Sequence, residues 1–221
     1  MRQGELAFPR WGGVRAGAGR PKTTEETVPH STRPRHAARH PVHVTIRLRK
    51  GLPRLRRRGE YRVLEGAFRA ARERFGMRVV HYSVLSNHVH LIVEARDRRA
   101  ISRGMQGLAI RIAKRLNRFW DRTGRVFAER YHERFLRTPR EVRNALAYVL
   151  HNARKHGLAV SAEAPDPYSS GRWFEGWRGG WLFSLEGAGS FSAPVAAART
   201  WLLRVGWRRR GLVALDERPG P

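Results

Sequence analysis

Ser86-Asn87-His88-Val89-His90-Leu91-Ile92-Val93-Glu94-Ala95 is the stretch from which the fold can be read. Alternate side chains of a strand face opposite ways, so Val89, Leu91 and Val93 form one apolar face. His88, His90, Ile92 and Glu94 then share the other. Met77 to Leu85 is a second β-prone run, joined to the first by the turn-forming pair Ser86-Asn87, and the two together read as a hairpin.

Working outward, Val42, Val44, Ile46 and Leu48 alternate with His43, Thr45, Arg47 and Arg49, which predicts a first strand from Pro41. Gly59 to Arg74 reads as a helix with Val63, Leu64, Phe68 and Ala71 on one stripe and Gly76 in the capping position. From Ile101 to Phe119 the apolar residues recur at helical spacing, with Arg103, Arg111, Lys114, Arg115 and Arg118 largely on other faces. Val126 to Leu136 is expected to be a further strand. Thr138-Pro139 followed by Glu141 marks a helix start, and that helix is expected to run to about His156 and stop at Gly157.

The resulting order is β-α-β-β-α-β plus a helix. It predicts an α+β, ferredoxin-like or RRM-like antiparallel sheet, with two helices on one face and the other face free for a partner. Residues 1–40, rich in Gly, Pro and Arg, are expected to be a disordered basic arm. The folded domain should span 41–158. Residues 159–221 form a Trp- and Arg-rich extension with a short helix expected from Pro194 to Val205.

Lys and Arg number 45 against 18 acidic residues, a formal charge of +27, so the surface suits a polyanion. Most of the cations are arginine, whose planar fork pairs with phosphate oxygens and stacks on bases. The absence of cysteine removes disulfides and thiol nucleophiles and leaves any metal to His, carboxylate or amide ligands. The N-terminal MRQGELAFPRWGG lacks a signal-peptide pattern and no apolar run reaches the ~18 residues of a membrane span. A cytoplasmic, nucleoid-associated protein without a membrane partner is expected.

His88 and His90 project together and can reach one divalent ion, although two strand histidines are also commonly found without a metal. His43, Thr45 and Arg47 should surround them from the neighbouring first strand. On the last helix Tyr148 and Asn152 stand one turn apart, with Tyr148 off the stripe formed by Val142, Ala145, Leu146, Val149, Leu150 and Ala153. An oxygen ligand from Asn152 would complement two imidazoles. A surface tyrosine packed on its neighbours is the alternative.

PVHVTIR at 41–47, SNHVHLIVEA at 86–95, FAERYHERFL at 127–136 and AYVLHNARKHG at 147–157, in this order, resemble the single-tyrosine HUH transposases of the smallest bacterial insertion sequences. REP-associated tyrosine transposases are the most similar group. The resemblance implies a divalent metal, Mg²⁺ or Mn²⁺, held by His88, His90 and Asn152, and Tyr148 as nucleophile. It further implies nicking and rejoining of single-stranded or hairpin DNA through a 5′-phosphotyrosine, with the site completed within one chain or across a homodimer. Arg47, Arg103, Lys114, Arg115, Arg118, Arg154 and Lys155 are the candidate DNA contacts. Relatives often place proline after the Tyr-x-x-x-Asn motif, where this chain has Ala153-Arg154-Lys155. Two rival readings are a non-catalytic DNA binder and a phosphohydrolase without a covalent intermediate; the few carboxylates near His88 and His90 weigh against the latter.

Overall fold

The structure is a computed structural model and describes residues 36–158, 160–179 and 192–218. Most of the N-terminal arm, residues 1–35, lies outside the described residues, as does part of the C-terminal extension. The strands are β1 (Val42–Arg47), β2 (Glu73–Arg74), β3 (Met77–Val84), β4 (His88–Ala95) and β5 (His132–Phe135). The helices are α1 (Arg58–Ala71), α2 (Arg98–Phe119), α3 (Pro139–Leu150), α4 (Asn152–Lys155) and α5 (Trp201–Arg204). The strands form one antiparallel sheet in the order β2-β3-β4-β1-β5, the split βαβ arrangement extended by the short edge strand β2.

Each helix starts or packs for a local reason. Asp97 Oδ1 accepts the Ala100 N–H at 2.7 Å and caps α2. Thr138 and Glu141 form a reciprocal capping box ahead of Pro139 on α3. Leu64, Ala67, Phe68 and Ala71 of α1 and Ile101, Met105, Leu108, Ile112 and Leu116 of α2 recur at helical spacing and are buried. They close a dry core over Val42, Val44, Ile46, Val89, Leu91 and Val93. Gly104 lets α2 approach the sheet, since a Cβ there would lie 2.6 Å from the Met77 side chain.

The turn between β2 and β3 has two central residues at positive φ, Phe75 at 56° and Gly76 at 75°. Such a two-residue turn favours Asn-Gly, and the left-handed region costs a residue with a Cβ about 1–2 kcal/mol.

Helix α1 ends at Ala71, so Glu73 and Arg74, expected to be its last turn, form β2, and Gly76 sits in the turn between two strands rather than at a helix cap. The structure corrects four further expectations. The second sheet face is covered: α3, Phe174, Trp177, Leu202, Leu203, Trp207 and Val213 form a second core with Val80 and Ile92. Remote segments cause this. Thr200 N–H and hydroxyl and the Arg199 N–H all donate to the Glu94 carboxylate at 2.7–3.1 Å, while the Tyr82 N–H donates to Ser170 Oγ at 2.9 Å. Secondly, the strand expected over 126–136 shrinks to β5, although Phe127 makes an isolated bridge to Leu48.

Thirdly, the final helix breaks at His151 (φ −107°, ψ 11°) and resumes as α4. His151 Nε2 donates to the Ala214 carbonyl and the ring packs on Trp177, so the extension holds this residue away from helical geometry. Gly157, at φ +67°, then ends the segment as expected. Lastly, the extension's helix is a single turn, Trp201–Arg204: it starts only after Thr200, which is extended (φ −68°, ψ 144°), donates to Glu94 and caps the turn.

Candidate active site

The site grows from the antiparallel register of the two central strands, which sets Thr45 opposite His90, Arg47 opposite His88 and His43 opposite Ile92. Side chains of this set face α3, away from α1 and α2. His88 and His90 lie with ring centroids 4.9 Å apart and are almost completely buried. His90 Nδ1 lies 3.0 Å from both Thr45 Oγ1 and His43 Nε2. His88 Nδ1 donates to Asn87 Oδ1 at 2.8 Å, which fixes that ring.

From the opposite side α3 delivers Tyr148, whose ring stands edge-on to His90 at 5.3 Å and to His43 at 5.7 Å. Lys155 Nζ sits 5.0 Å from the centre of the Tyr148 ring, and His156 packs edge-on against His88 at 5.5 Å. A cleft of about 360 Å³ opens beside Tyr148, with His43, Arg134, Asn144 and Lys155 in its wall. One chain supplies every one of these groups.

Burial pushes the His43 and His88 imidazoles down to about 4 and His90 to about 2, with neighbouring cations and histidines adding to the effect. All three are neutral at pH 7, the form in which an imidazole binds a metal. With its Nδ1 proton directed to Thr45 or His43, His90 presents a bare lone pair at Nε2, a buried atom with no hydrogen-bond partner. Asn152 is fully buried with both Nδ2 and Oδ1 unpartnered. Unsatisfied buried polar atoms are rare, and two of these three, His90 Nε2 and Asn152 Oδ1, have the lone pairs of metal ligands. Among the described residues no group of three His, Asp or Glu side chains converges into a metal cage.

The other candidate contacts divide. Arg47 is exposed at the end of β1, beside the site by register with His88, and Lys155 adjoins Tyr148. Arg154 donates to the carbonyls of Leu215 and Ser161 and so ties down the C-terminal segment. Arg103, Lys114, Arg115 and Arg118 lie on α2, in the helix layer on the opposite side of the sheet from His88 and His90. Sequence reasoning gave no role to Asn87 or Arg134. Asn87 adjoins the two-histidine run, which was the available signal; Arg134 needed the tertiary fold. Glu94, on the same strand face as the histidines, is consumed by capping Thr200.

Residues 38–150, just over half of the chain, match the family described as "Transposase IS200 like". No curated protein matches. Among solved structures the fold is similar to that of a REP-associated tyrosine transposase bound to a REP hairpin, with a TM-score of 0.53 at 17% identity. That similarity covers 65% of this chain and 82% of the other. The match over residues 38–150 decides the family: the chain belongs to the IS200-like transposases.

Proposed function

We propose that the protein is a metal-dependent endonuclease and strand transferase for single-stranded or hairpin DNA, with Tyr148 as nucleophile. The observation that carries this reading is the meeting of Tyr148 with His90 and His43, next to a buried imidazole nitrogen that has no partner. The hairpin-bound state of the structurally similar transposase supports the substrate class.

His88, His90 and Asn152 would hold the ion, Mg²⁺ or Mn²⁺. When bound, it would withdraw charge from a scissile phosphate. Asn87 and Thr45 set the two imidazoles by holding their Nδ1 atoms, leaving Nε2 for the ion. Tyr148 Oη forms a bond to the scissile phosphorus as the bond from phosphorus to the 3′ oxygen breaks. The phenolic proton is released and the departing 3′ oxygen takes one up. The product is a 5′-phosphotyrosine and a free 3′-hydroxyl. Attack by a DNA 3′-hydroxyl on that linkage restores a phosphodiester and frees Tyr148, conserving bond energy without a nucleotide cofactor.

The Lys155 ammonium, 5.0 Å from the centre of the Tyr148 ring, puts positive charge near the phenol on which negative charge develops. The cleft walled by Arg134 and Lys155 offers cations to the flanking phosphates. One chain brings the Tyr148 ring to His90 and His43, which supports completion of the site within a single chain.

The test uses labelled single-stranded oligonucleotides from the flanks of the gene, with Mn²⁺, on denaturing gels. Wild type should form a metal-dependent labelled protein band. Tyr148→Phe should lose it by at least about a thousandfold and bind the same oligonucleotides with unchanged affinity. Cleavage surviving in the variant would instead favour a hydrolase, and binding with no adduct in either protein would favour a pure binding module.

A further inference from the structure

We infer that Phe75, at the tip of the β2–β3 hairpin, is a stacking platform for an unpaired nucleobase, separate from the cleft at Tyr148. The inference rests on the reading of the chain as a single-strand-processing enzyme. Three independent observations carry it.

The first is conformational. Arg74 pairs with Met77, which leaves Phe75 and Gly76 as a two-residue turn with both φ angles positive. Asn or Gly is the residue that turn favours at the first position, and a bulky aromatic there is an outlier. Strained residues persist where their surroundings hold them and often mark function.

Exposure is the second. Phe75 is 45% exposed, one of few large apolar side chains so placed among the described residues. One edge of its ring rests on α2 at Gly107, where a Cβ would come within 2.9 Å of Cε2. Glycine at that position keeps the ring down on the helix while much of its surface faces solvent.

Charge is the third. The Arg74 and Arg103 guanidiniums lie 5.7 Å and 5.3 Å from the ring centre. The Arg96 stem packs on Gly76, within 3.0 Å of where a Cβ would stand. Asp97, the carboxylate beside this group, pairs with Arg96 at 3.3 Å and caps α2 through its other oxygen. Both guanidiniums lie over the ring, so a base takes its face by displacing one of them, and the displaced cation then meets a flanking phosphate; an aromatic ring with arginines is a composition that binds single-stranded nucleic acid.

The platform sits at the Ala95 end of β4, whereas His88 begins the same strand, so it lies roughly 20 Å from the histidines. It would therefore hold a nucleotide several positions from the cut and steer the strand without touching the reacting atoms. Arg103, assigned to DNA from the sequence, finds its place here rather than at the catalytic face.

Phe75→Asn separates this role from a structural one, because Asn is the residue the turn prefers. The full chain and a fluorescein-labelled oligothymidylate, followed by fluorescence anisotropy, give the affinity, and thermal melting gives the stability. The variant is expected to melt at or above the wild-type temperature and to bind about tenfold more weakly. Phe75→Trp should restore or exceed wild-type binding. Unchanged affinity in Phe75→Asn overturns the inference. So does a fall in melting temperature in that variant, which would make the ring a turn anchor on Gly107. Wild-type protein that neither binds the oligonucleotide nor forms the covalent adduct would instead sink the proposed function itself.

Discussion

The two faces of the sheet are built on opposite principles. Toward α1 and α2, alternate residues of β1, β3 and β4 are Val, Ile, Leu and Tyr, and the space between sheet and helices is filled by apolar side chains. Toward α3, the same strands present Thr45, His88 and His90 at one end, His43 beside Ile92 further along, and Val80 in the apolar part. The first face contributes stability through burial. The second shares its area between a small apolar core and a cluster of neutral imidazoles, in which His90 Nε2 is buried without a partner. Polar groups held dry without partners cost stability, and a protein keeps them where a ligand supplies the missing partner.

Substitutions should therefore separate the faces. The largest effect belongs to the apolar face: Phe68→Ala, which empties a fully buried position against Tyr82, is expected to destabilise by about 3–5 kcal/mol in urea denaturation. It should leave the affinity for Mn²⁺ of the remaining folded protein unchanged. On the other face His90→Ala should behave inversely, with a modest effect on the metal-free protein. Wild type should gain about 2.7 kcal/mol at a Mn²⁺ concentration about a hundred times its dissociation constant. The variant should gain almost nothing, and an equal gain in both would break the contrast.

The smallest effect is the pH dependence, measured in chelator. His43, His81 and His88 have folded-state values near 4 and His90 near 2, all lowered from 6.5 by burial. Below pH 6.5 the unfolded chain takes up protons that the folded chain refuses, so this stability is complete above 6.5 and is lost as pH falls toward 4. Replacing one of them, as in His88→Gln, should make the acid limb shallower by up to about 1.4 kcal/mol per pH unit. An acid limb of the same slope would mean that His88 is already protonated in the folded protein.

The apolar face was the legible one. Period-two alternation in β1 and β4 and helical spacing in α1 and α2 put Leu91, Phe68 and their neighbours in the core correctly, since local pattern alone decides which side is dry. The same alternation put His88 and His90 together on the second face, whereas a role for them and for Tyr148 was implied only by the resemblance of the motifs. What covers that face was not legible, because it depends on contacts between residues far apart in the chain: Ser170 to Tyr82, Thr200 to Glu94, Ala214 to His151. The break at His151 follows from the last of these and has no local signal. Likewise the arginines of α2 carry their charge visibly in the sequence, but only the packing of α2 shows that they lie across the sheet from the histidines.

The central claim is that Tyr148 becomes covalently joined to DNA. Mass spectrometry of the protein digested after reaction with a single-stranded oligonucleotide and Mn²⁺ tests it most directly. The account predicts a phosphonucleotide on the peptide containing Tyr148 and an unmodified peptide when chelator is present. A nucleotide adduct on any other residue, or cleaved DNA with every peptide unmodified, would contradict it.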